Sequence, residues 1–122
     1  MLPQVAPRGL KVGRLDDDGI EVSQNVKPEH LRPGGAVSGP TPMALADVAF
    51  YVLLLSRTGL LPLAVTTSLN INFLRKAEPD TDLGAVSRML KLGKRLAVGA
   101  VTIFSGASAP PAAQATLTYS LP

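Results

Sequence analysis

An α+β fold is the expectation for this chain, and three observations predict it. A long apolar stretch bounded by helix signals sits near the middle. Two short segments of alternating apolar and polar residues precede it, and four longer ones follow. At 122 residues, the chain is read as one domain over residues 1–122. Apolar residues make up 46% and aromatics only 4%, so Leu, Val, Ala and Ile must build the core.

The elements follow in order. Leu10 to Leu15 and Ile20 to Ser23 alternate, and Asp16-Asp-Asp-Gly19 between them is a hairpin signal. Lys27 to Pro40 is rich in Pro and Gly and reads as an ordered loop. A helix is expected from Pro42 to Thr58, with Thr41 as N-cap, Pro42 at the first helical position and Gly59 as the stop. It is apolar nearly all round, so something must wrap it, and Asp47 is its only charge before Arg57. Burying an unpaired carboxylate costs several kcal/mol, and proteins rarely leave one without a task.

After the helix the period becomes two. In Val65 to Leu74, alternation puts Val65, Thr67, Leu69, Ile71 and Phe73 on one face, and Thr66, Ser68, Asn70 and Asn72 on the other. Strands are expected over Leu83 to Leu92, Arg95 to Phe104 and Ala113 to Leu121, the four joined by hairpins. An unprotected sheet edge would pair with a second subunit.

Composition excludes several classes of chemistry. Without cysteine there are no disulfides, thiol nucleophiles or thiolate metal sites. His30 is the lone histidine, which leaves no His-rich metal cage and few routes to a catalytic triad. No metal or cofactor is expected. The net charge of +3 suits an anionic small ligand. Nucleic acid is not an expected partner, because the basic run Lys91-Leu-Gly-Lys-Arg95 is short and lacks an aromatic. No secretory signal is read at the start, and the apolar run is too short to span a bilayer. A soluble cytoplasmic protein is the expectation.

At this point three strings resemble a known family. His30-Leu-Arg-Pro-Gly-Gly-Ala-Val-Ser-Gly-Pro-Thr-Pro-Met-Ala-Leu-Ala-Asp47 looks like the loop-and-helix motif of hotdog-fold acyl-CoA thioesterases, in their phenylacetate-pathway-like branch. Val65-Thr-Thr-Ser-Leu-Asn-Ile-Asn-Phe-Leu-Arg75 and Leu90-Lys-Leu-Gly-Lys-Arg-Leu-Ala-Val98 fit the same family. The resemblance covers roughly residues 10 to 122, and its specificity lies in the combination of the three strings.

The resemblance implies a curved antiparallel sheet of five to six strands wrapped around one long central helix. It implies a homodimer, assembling to a tetramer, with active sites at the dimer interface. Asp47 takes the place of the general base or nucleophile, Gly39 that of the oxyanion-binding N–H, and Thr66 that of the hydroxyl that orients water. A helix start independently suits an oxyanion, since it offers unpaired N–H groups and partial positive charge.

The chain also departs from the pattern. Ser38-Gly39-Pro40 stands where the family commonly writes His-Gly-Gly, and Arg32, with His30 nearby, falls on a slot usually held by Asn. Pro40 removes a donor, while Gly39 keeps one. His30, Arg32 and Ser38 are therefore candidate substrate contacts, and Lys91, Lys94 and Arg95 are candidate contacts for the phosphates of coenzyme A. The expected reaction is hydrolysis of an acyl-CoA. The alternatives are a hotdog hydroxyacyl dehydratase, which would pair His30 with Asp47, and a non-catalytic acyl-CoA-binding protein.

Overall fold

The computed structural model describes residues 10–16, 19–24, 40–58, 65–75, 81–106 and 110–121. Its elements are β1 (Leu10–Asp16), β2 (Gly19–Gln24), α1 (Pro40–Thr58), β3 (Val65–Phe73), β4 (Leu83–Leu92), β5 (Leu96–Ser105) and β6 (Pro111–Ser120). All six strands form one antiparallel sheet in the order β1-β2-β4-β5-β6-β3, with α1 packed on one face. This is the hotdog arrangement that the resemblance implied.

Period-two patterning explains which face meets the helix. Ala113, Ala115, Leu117 and Tyr119 of β6 are buried, as are Ala97, Val101 and Ile103 of β5 and Leu83 and Ala85 of β4. Opposite them, α1 buries Leu45, Ala46, Ala49, Phe50, Leu53 and Leu54 completely or nearly so. With few aromatics available, one ring fills the centre: Phe50 is 0% exposed. Gly99 of β5 makes room for it, since a Cβ there would overlap the Phe50 ring.

Two expectations need correction. The helix begins at Pro40, two residues before the expected start, so Thr41 is a helical residue and not the N-cap. Two prolines fit in this first turn because its N–H groups have no intrahelical partner to lose. The four later strands are not a succession of hairpins. β4, β5 and β6 are neighbours, but β3 crosses to the far edge and pairs with β6. The sheet covers one face of α1, as the hotdog arrangement requires. Met43 and Ala44 are exposed, and Asp47, Tyr51, Val52 and Leu55 are half-buried. With 19 residues, α1 is not long and apolar enough to cross a membrane, and no other helix occurs among the described residues.

One polar atom is out of place in this core. Ser87 of β4 is 0% exposed, and its hydroxyl has no hydrogen-bond partner among the described residues. An unsatisfied buried hydroxyl carries its full desolvation cost, whereas a methyl group there would carry none. Ser87→Ala should therefore raise unfolding stability by about 1 kcal/mol. A lowered urea midpoint in that variant would reveal a partner for the hydroxyl.

Candidate functional site

The site begins with helix spacing. Asp47, Phe50 and Tyr51 stand at i, i+3 and i+4, so they share one face of α1. Tyr119 of β6 reads all three. Its ring meets Phe50 edge-on, with centroids 5.3 Å apart and planes at 76°. It stacks on Tyr51 at 6.0 Å and 21°. Its hydroxyl donates to Oδ1 of Asp47 at 2.6 Å, with a longer contact of 3.2 Å to the Asp47 carbonyl oxygen. Burial, and after it the hydrogen bond to Asp47, push the Tyr119 phenol well above the ordinary tyrosine range. It therefore keeps its proton and remains a donor.

A second hydroxyl reaches the same oxygen. Thr66 Oγ1 donates to Asp47 Oδ1 at 2.8 Å. Strict alternation would have turned Thr66 away from the helix with Ser68, Asn70 and Asn72. The pairing instead shifts between Thr66 and Ser68: Thr66 lies opposite Tyr119, and Ser68 opposite Thr118. Thr67 is the extra residue of a β-bulge, which changes the facing of everything beyond it. Thr66 thus joins Leu69, Ile71 and Phe73, whose β6 partners are the buried Leu117, Ala115 and Ala113. Thr67 hydrogen-bonds the Thr118 carbonyl oxygen at 3.1 Å. Asn70 and Asn72 lie opposite Thr116 and Gln114 on the face away from α1, so they do not line this site.

Asp47 is half-buried, with both described hydrogen bonds on Oδ1 and no cationic partner among the described residues. Such a carboxylate is held in one orientation, while its second oxygen accepts from no described residue. Proton abstraction and nucleophilic attack are the chemistries open to it.

The expected site residues divide into three groups. Asp47 and Thr66 are brought together. Gly39, His30, Arg32 and Ser38 lie outside the described residues. Lys91, at the end of β4, and Lys94 and Arg95, in the turn before β5, are exposed. They stand at the same end of the sheet, since Leu92, Ala97, Tyr119 and Thr66 form one row across four strands. No hydrogen bond or ion pair links them to Asp47 among the described residues. Sequence alternation marks Tyr119 only as part of a strand. Its signal was nevertheless present: one of just two tyrosines, it falls on the inward phase of β6, where a buried hydroxyl needs a partner.

Comparison with known proteins agrees with the fold. A family model, described as the thioesterase superfamily, matches residues 34–111. Among solved structures, a candidate thioesterase from Silicibacter sp. is 45% identical, with a TM-score of 0.88 over 98% of this chain and 83% of that one. The phenylacetic acid degradation protein PaaI from Thermus thermophilus, in a mutant form, is 27% identical, with a TM-score of 0.85 over 98% of this chain and 99% of that one. The E. coli PaaI protein shares the fold at 23% identity, with a TM-score of 0.86 over 98% of this chain and 83% of its own. No curated protein matches the sequence significantly.

Proposed function

The chain belongs to the thioesterase superfamily, and on that footing we propose that it hydrolyses an acyl-CoA thioester, with Asp47 as general base or nucleophile. The observation that carries this reading is the half-buried carboxylate, fixed by two hydroxyls and facing no cation among the described residues. As a base, Asp47 takes a proton from water while the water oxygen bonds to the thioester carbonyl carbon. Collapse of the tetrahedral intermediate breaks the C–S bond, and the proton passes to the departing sulfur. Free acid and thiol result, and the carboxylate is regenerated.

Gly39, directly before the first helical residue, is assigned the N–H that holds the developing oxyanion, which suits the positive end of a helix dipole. Thr66 is assigned the placing of water, since its hydroxyl oxygen can accept from a water while its proton goes to Asp47 Oδ1. Lys91, Lys94 and Arg95 are assigned to the phosphates of coenzyme A, and an exposed basic hairpin suits that load.

A homodimer completes this reading. β3 is an outer strand with one edge unpaired among the described residues, and its terminal residues Val65 and Phe73 are 57% and 53% exposed. An exposed edge of nine residues with apolar side chains is a ready template for pairing with a second copy.

The test is release of free thiol from a panel of aliphatic, aromatic and hydroxylated acyl-CoAs. Turnover of at least one class is expected, with affinity falling as salt rises because of the phosphate contacts. Acyl-CoA that binds and stays intact for hours would reduce the protein to a carrier. No binding and no release across the panel would remove acyl-CoA from the proposal.

A further inference from the structure

The geometry points to Tyr119 as a positioning residue that, together with Thr66, pins Oδ1 of Asp47 and so selects Oδ2 as the oxygen that meets water or substrate. This rests on the reading of Asp47 as the reacting carboxylate.

Both hydroxyls converge on one oxygen, at 2.6 Å from Tyr119 and 2.8 Å from Thr66. No hydrogen bond falls on Oδ2 among the described residues. A carboxylate oxygen that already accepts two short hydrogen bonds is the poorer base and the more hindered nucleophile. The other oxygen inherits the chemistry.

Tyr119 is suited to this task because its own position leaves little freedom. It is 3% exposed, and its ring is held between the strand and two aromatic rings of α1. Those rings sit three and four residues after Asp47, so the phenol and the carboxylate are referenced to the same helical turn. The raised phenol supports the assignment, because a tyrosine that stays protonated donates at every working pH. Charged side chains on the packed strands do not compete. Glu21 of β2 and Arg88 and Lys91 of β4 pair with Val86, Ala100 and Val98, on the face away from α1.

The test is a double-mutant cycle on thioester hydrolysis. Tyr119→Phe keeps the ring and its aromatic contacts, and removes only the hydroxyl. It should lower kcat by about ten- to a hundredfold, with KM unchanged. In the Asp47→Asn background the same change should have no further effect, because there is no reacting carboxylate left to orient. Thr66→Val, at an exposed position, should repeat the pattern and covers a poorly folding Tyr119 variant. Full kcat in Tyr119→Phe, or an equal loss in both backgrounds, overturns the assignment of Tyr119 while leaving Asp47 in place. Undiminished hydrolysis by Asp47→Asn overturns the reading of Asp47 itself, and the positioning role with it.

Discussion

Asp47→Asn is expected to lower kcat for thioester hydrolysis by about two to four orders of magnitude, the range typical of losing a positioned general base. That corresponds to about 3–5 kcal/mol of transition-state stabilisation. The substitution isolates the chemistry cleanly. The asparagine carbonyl oxygen can still accept from Thr66 and Tyr119, so both hydroxyls keep their partner and the helix face keeps its packing. What disappears is the oxygen that can take a proton or attack. KM should therefore change little, because an interaction confined to the transition state has been removed. Steady-state kinetics on a variant with wild-type circular dichroism decides the matter, and unchanged turnover there would falsify a role for Asp47.

The second large effect concerns stability. Phe50→Ala should reduce unfolding free energy by about 3–5 kcal/mol, as measured by urea titration. Phe50 is wholly buried, contributes the largest side chain among the fully buried residues, and occupies the space over Gly99. Facing positions that match a ring to a glycine cannot close up easily, since the backbone of β5 is held by ladders on both sides. The cavity should persist, and with it the upper part of the expected cost. A domain typically has about 5–15 kcal/mol in total, so the variant is expected to remain folded with a thin margin. Because Phe50 also supports the Tyr119 ring, kcat should fall alongside stability. A loss below about 1 kcal/mol would mean that the core relaxes around the gap.

Much of the architecture could be read from the chain, and the failures share one cause. The boundaries of β4 follow from alternation alone, and the β1–β2 hairpin follows from alternation around Asp16 to Gly19. These are local patterns. β3 has as clear a period as any strand, yet no local feature says that it leaves β4 and joins β6. Strand neighbours are chosen by the whole packing, and β5 and β6 lie between β4 and β3 in the sheet. The helix start is not legible locally, because Thr41-Pro42 is a good beginning by itself, while Pro40 is a permissible one only in combination with the fold.

The site divides in the same way. Asp47 stood out because a single acid in an apolar helix is a local anomaly. Thr66 stands out only through resemblance, while its facing depends on a bulge that alternation cannot register. Tyr119 lies 72 residues from Asp47 in sequence, and only the closed sheet brings the two together.

Thr66 and Thr67 look interchangeable on paper, two identical hydroxyls side by side. The bulge gives them separate duties: one faces the acid, and the other is committed to the backbone of β6. The pair therefore contains no spare copy. Repair of a damaged Thr66 cannot come from its twin, and sliding the strand by one place would exchange their identities without restoring the layout.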